Sequence, residues 1–157
     1  MYVTATNAVG HIPNGSTLAH YELSVGSMST VKGYTGPHVD GQVVNASDSL
    51  YIDPSGEHAT VNVNGVVKTS SGATICFSWT GHAVWDDDIK TIIEEAPEAK
   101  TAPFGKLTTL NSFQVGDNAL KSLGTTSFVG SGRYILRNGQ IGVETRIARV
   151  VAPTCDE

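Results

Sequence analysis

Between Ser70 and His82 every second residue is apolar: Ile75, Phe77 and Trp79. Thr74, Cys76, Ser78 and Thr80 occupy the positions between and beside them. Successive side chains of a strand leave on opposite faces, so this spacing predicts a strand with one dry side. The same period recurs along the chain. Tyr21 to Val25 alternates, and Val39, Gly41 and Val43 alternate against Asp40, Gln42 and Val44. Leu50-Tyr51-Ile52 runs into Asp53-Pro54-Ser55-Gly56, a turn with proline at its second position. Val61, Val63 and Val67 share a face, with Asn62, Asn64 and Lys68 opposite, and Ser71-Gly72 turns the chain back.

The strongest local signal is Asn138-Gly139, between Tyr134–Arg137 and Ile141–Val151. Asn-Gly between strand-like runs predicts a tight type I′ hairpin. In its second arm Ile141, Val143, Thr145, Ile147, Arg149 and Val151 fall on one face.

Two segments break the period. Trp85–Lys100 is acidic and carries Ile89, Ile92 and Ile93 at helical spacing, with Asp86, Asp87 and Asp88 where acidic groups suit the helix dipole. It predicts one short helix ended by Pro97, a lid within a long strand connection. The three aspartates read as a solvated helix start, because three consecutive side chains cannot all face one ion. Asp117–Leu123 predicts a second short helix, with Asp117 as cap, Leu120 and Leu123 as its buried stripe, and Gly124 as its stop.

Many antiparallel strands and little helix define an all-β fold: an antiparallel β-barrel, or a strongly curved two-sheet sandwich, with one or two short helices in loops. Closure is favoured because it removes exposed edges. The 17 glycines and a charged fraction of 16% agree with strands joined by turns. The 157 residues suffice for one domain, 1–157, with 151–157 a loose tail.

The formal net charge is −5 and no basic stripe exists, so neither nucleic acid nor an anionic membrane is an expected partner. No apolar run approaches the ~20 residues of a membrane helix, and the first residues lack a secretory pattern. Cys76 and Cys155 are far apart, one in a strand and one in the polar tail. A cytoplasmic protein without a structural disulfide is therefore expected.

The order of several short motifs resembles a known family. Gly36-Pro37-His38-Val39-Asp40-Gly41 resembles its Gly-Pro-Arg-Leu-x-Gly strand. Val66 to Ala73 is similar to its Thr-Leu-Arg-Thr-Asp-Asp-Gly-Ala turn, with Ile75 and Thr80-Gly81 following. Phe113-Gln114-Val115-Gly116-Asp117 resembles Phe-Glu-Thr-Gly-Asp, and Phe128-Val129-Gly130-Ser131-Gly132 matches Phe-Val-Gly-x-Gly. This is the family of the domain of unknown function 3237, and the resemblance runs from about Leu18 to Val151. It implies a compact β-barrel-like fold and little about activity. By analogy with other small barrels that hold apolar metabolites, cofactor-free cyclases and isomerases come into view. Two departures stand out. Asn62-Val63-Asn64 replaces Asp-x-Arg, and Ser122-Leu123-Gly124 replaces Trp-Leu-Asn.

No phosphate loop, nucleophile elbow, His-Glu-x-x-His or Cys-x-x-Cys is present, and no cofactor or metal is implied. The five histidines show no ligand-like spacing. Polar groups on otherwise apolar faces are the remaining lead, because an unsatisfied buried group costs ~1–3 kcal/mol. Tyr21, Asn64, Trp79 and Thr145 are candidate substrate contacts. Tyr134 and Arg149 are candidate donors to a developing oxyanion, with Asp40 and His82 as proton relays. The expectation is a cofactor-independent cyclase or isomerase, of the kind found in secondary-metabolite biosynthesis, acting on an apolar oxygenated small molecule inside the barrel. A non-catalytic carrier with the same pocket is the alternative, and a homo-oligomer is expected.

Overall fold

In the computed structural model, residues 1–153 are described. Nine strands form one antiparallel sheet: β1 Ala5–His11, β2 Thr17–Glu22, β3 Ser27–Ser29, β4 Asp40–Ile52, β5 His58–Thr69, β6 Thr74–Val84, β7 Leu107–Val115, β8 Phe128–Arg137 and β9 Gln140–Arg149. Their order is β1-β2-β4-β5-β6-β7-β8-β9, with β3 alongside β4. The sheet is curled into a barrel-like wall. Its outer strands are joined by Met1–Thr4: Val143 N–H donates to Met1 O at 2.7 Å and Val3 N–H to Ile141 O at 2.8 Å on one side. On the other side Tyr2 N–H donates to Val25 O at 2.7 Å and Thr4 N–H to Glu22 O at 2.8 Å. This satisfies edge groups that would otherwise invite other strands.

The expected dry faces point inward. Val61, Val63 and Val67 of β5 and Ile75, Phe77 and Trp79 of β6 are all buried. The hairpin turns at Asn138 (φ 52°) and Gly139 (φ 74°), the positive pair that a type I′ turn needs. β4 is one strand of 13 residues rather than two short ones. Its pairing with β5 slips between Val43 and Asn45, leaving Val44 as an extra, exposed residue. This β-bulge reverses the pleat. Val39 and Gly41 point inward before it; Ala46, Asp48 and Leu50 point inward after it.

The helices are shorter than the sequence suggests. The first, α1, spans Asp87–Ile93, and Asp86 caps it by accepting from Ile89 N–H. It ends at Glu94, before Pro97, because Glu95 takes a left-handed conformation (φ 54°). Ile89 and Ile92 are fully buried (0% exposed) against the barrel end. Lys106 is paired with Asp86 and Asp88, and Phe104 lies between the guanidinium groups of Arg133 and Arg146, at 4.3 and 4.1 Å, so the return connection is pinned. The second helix is a 3₁₀ segment, Lys121–Thr125. Leu120 and Leu123 are buried as expected, while Asp117 accepts from Ala119 N–H in the preceding turn. β9 ends at Arg149 rather than Val151. Residues 150–153 carry no regular structure, and the rest of the expected tail, with Cys155, lies outside the described residues.

Two glycines separate backbone from side-chain effects. A Cβ on Gly81 would collide with the Thr108 carbonyl on the neighbouring strand, and backbone there cannot give way. One on Gly116 meets nothing within 4 Å. Gly81→Ala is expected to lower the urea midpoint by an amount equivalent to ~1–3 kcal/mol, with an unchanged slope. Gly116→Ala is expected to stay within ~0.5 kcal/mol of the wild type.

Candidate functional site

The eight residues expected to form a site do not meet in one. Asp40 is exposed at the start of β4, paired with Ser29. His82 is exposed on the outer face of β6, between Thr60 and Thr108. Arg149 is exposed at the end of β9, beyond the barrel interior. Asn64 is on the outer face, its amide donating to Asn62 Oδ1 at 3.1 Å. The pleat sends Asp40, His82 and Asn64 away from the core, and Arg149, opposite Phe128 in the inward phase, is exposed because β9 ends there, so the expected proton relay of Asp40 or His82 with Arg149 does not assemble inside.

The other four do face inward. Trp79 is 6% exposed and packs on Phe77 with ring centroids 5.0 Å apart. It is a core residue and does not line the interior cavity described below. Its Nε1 and the Thr145 Oγ1 have no hydrogen-bond partner among the described residues. Beside this strip lies a buried polar pair, in which Thr109 Oγ1 donates to Asn111 Oδ1 at 3.2 Å. Gly130 leaves room for that pair, since a Cβ there would strike Thr109 and Asn111.

Tyr21 and Tyr134 meet at a different place, around a carboxyl group that the sequence reading did not single out. Asp48 sits opposite Tyr21 across β2 and β4 and opposite Val63 across β4 and β5. It is 6% exposed, and its Oδ1 accepts from Asn62 N–H at 3.0 Å. With Tyr21 and Tyr134 it lines a small, partly open cavity of about 20 Å³. The remaining wall is apolar: Leu50, Ile141 and Val143 from the sheet, Leu23 just after β2, Ile93 from the end of α1, and Val3 from the closing segment. The space is about the size of one water molecule. The Tyr134 hydroxyl is buried without a protein partner among the described residues.

Electrostatics follow from this burial. Desolvation pushes the Asp48 pKa up from 3.8 to about 6, against the pull of the Asn62 N–H and of His20. Desolvation also raises the Tyr134 pKa, and the negative charge of Asp48 adds to it, as does Tyr21. Tyr21 is raised by burial and then by Asp48. Near neutral pH both phenols are therefore hydrogen-bond donors, while the carboxyl exchanges its proton close to the working range.

This arrangement costs stability. Asp48 binds its proton more tightly folded than unfolded, so its contribution is fully present below pH ~4 and is lost as pH rises through about 6. The loss by pH 7 is ~3 kcal/mol. Asp53, Asp86 and Glu144 are held below their ordinary range and act in the opposite sense, losing stability as pH falls. Comparison with Asp48→Asn isolates the buried group. The variant is expected to be more stable than wild type in urea at pH 7 and to lose that advantage by pH 4.

Three solved structures share the fold. A conserved protein of unknown function from Rhodopseudomonas palustris is 18% identical with a TM-score of 0.75, covering 96% of this chain and 91% of its own. A protein of unknown function from Clostridium acetobutylicum is 13% identical with a TM-score of 0.65, covering 94% and 91%. A β-barrel-like protein from Acinetobacter baumannii is 14% identical with a TM-score of 0.65, covering 93% and 88%. No curated protein matches the chain. The motif order noted in the sequence is that of a family described as protein of unknown function (DUF3237), whose profile matches residues 2–150, and the chain belongs to it.

Proposed function

We propose that this protein is a cofactor-independent cyclase or isomerase that moves a proton on a mostly apolar, oxygenated small molecule, with Asp48 as its base. One observation carries the reading: a carboxyl group is kept inside an apolar wall at a cost to stability, beside two phenols, one of them lacking a partner. Perturbed carboxyl groups in cavities are candidates for acid–base work. In the proposed reaction the Asp48 carboxylate takes a proton from the carbon next to a carbonyl. The Tyr134 hydroxyl, helped by Tyr21, donates a hydrogen bond to the carbonyl oxygen as negative charge develops there. Protonated Asp48 then returns the proton to another carbon, which isomerises the molecule or closes a ring. A pKa near 6 keeps both protonation states accessible in one cycle.

The cavity of about 20 Å³ admits water but no substrate, so the wall must open. Ile93, Val3 and Leu23 are the parts of that wall lying outside the strands.

The test is proton exchange. Purified protein is incubated in D₂O with a panel of enolisable ketones and enones, and deuterium at the α-carbon is followed by NMR. Wild type is expected to exchange at least one of them. Asp48→Asn is expected to lower the rate by ~10²–10⁴. Tyr134→Phe is expected to lower it ~10-fold or more while remaining folded. No exchange across the panel, or equal rates for wild type and Asp48→Asn, contradicts the proposal.

A further inference from the structure

A second concavity lies outside the barrel. It is a trough of about 530 Å³ on the outer face, within the size range of ligand sites. We infer that this trough is a second binding site, for a neutral polyhydroxylated ligand of the sugar or polyol type.

Its construction can be read from the register. Glu22, Ser47, Asn64, Ser78 and Ser112 stand side by side across β2, β4, β5, β6 and β7. Neighbouring strands are ~4.8 Å apart, so the row is ~19 Å long. Lysine, arginine and aromatic side chains commonly cover an exposed sheet face, but the outward side chains in this row are short. The floor is lowered as well. Gly65 lies between Ala46 and Phe77 in the register, and a Cβ there would strike both. Without one, Ala46 and Phe77 pack close to the β5 backbone, and all three residues contribute to the trough lining.

The chemistry selects the ligand. Serine hydroxyls both donate and accept, and the Asn64 amide does the same through its two ends. Such a row matches a chain of hydroxyl groups. The lining contains no lysine or arginine, which disfavours phosphate and other anions. Glu22 is its only carboxylate, and it can accept from two adjacent hydroxyls at once. The trough and the Asp48 cavity open on opposite faces of the sheet, so the two sites are independent.

Titration of the isotopically labelled protein with glucose, maltose, cellobiose and sorbitol tests the inference. At least one is expected to bind in the millimolar range, shifting backbone amides at 64–66 and 76–78. Ser78→Trp, which fills the trough from an outward position, is expected to weaken binding at least tenfold with an unchanged circular dichroism spectrum. Asp48→Asn is expected to bind as wild type does. No shift with any of the four, shifts elsewhere on the molecule, or equal binding by folded Ser78→Trp overturns it. So does glucose 6-phosphate binding as well as glucose.

Discussion

One extra residue in β4 decides which side chains the barrel encloses. Without the bulge at Val44 the same residues would keep a single phase, and Asp48 would point outward while Ser49 turned into the core. With it, Val39 and Gly41 fill the interior on one side of the bulge, and Ala46, Asp48 and Leu50 do so on the other. Bulges bend a strand and re-aim its side chains. Here the same device also supports curling, because β4 pairs with β2, β3 and β5 over its 13 residues. The shape of the sheet and the position of its buried charge have a common origin.

The rest of the interior is close-packed. The Phe113–Phe128 edge contact at 5.3 Å and the Phe77–Trp79 contact at 5.0 Å fill one end. Ile89, Ile92 and Trp85 close the other. Inward-facing glycines let strands and polar side chains approach where a Cβ would not fit, most clearly at Gly81 and Gly130. A small cavity of about 20 Å³ lies beside Asp48. Burial of a carboxylate in such a place costs stability whenever it is ionised.

Much of the fold was legible because period-2 alternation is a direct readout of burial. The Ile75–Trp79 stripe and the valines of β5 follow from it, while the Asn138-Gly139 turn follows from turn chemistry and the buried Leu120 and Leu123 from helical spacing. β1 was not legible. Ala-Thr-Asn-Ala-Val-Gly-His has few large apolar residues and is largely exposed along the edge. The site was less legible still. Asp48 shows no local signal, since a bulge cannot be located from Val43-Val44-Asn45 alone. The one clue was that Ala46 and Leu50 are apolar in the phase opposite to Val39 and Val43. Arg149 shares a phase with Val143 but lies where the strand leaves the barrel, so alternation overestimated its burial. Asp40 and His82 were attractive as chemistry, but the pleat turns both outward.

The most direct test of this account is an NMR titration of the Asp48 carboxyl carbon, assigned by its loss in Asp48→Asn. A buried carboxyl beside Tyr21 and Tyr134 should titrate with a midpoint of about 6. A midpoint at or below the ordinary 3.8 would mean that Asp48 stands in water, and the interior site would not exist.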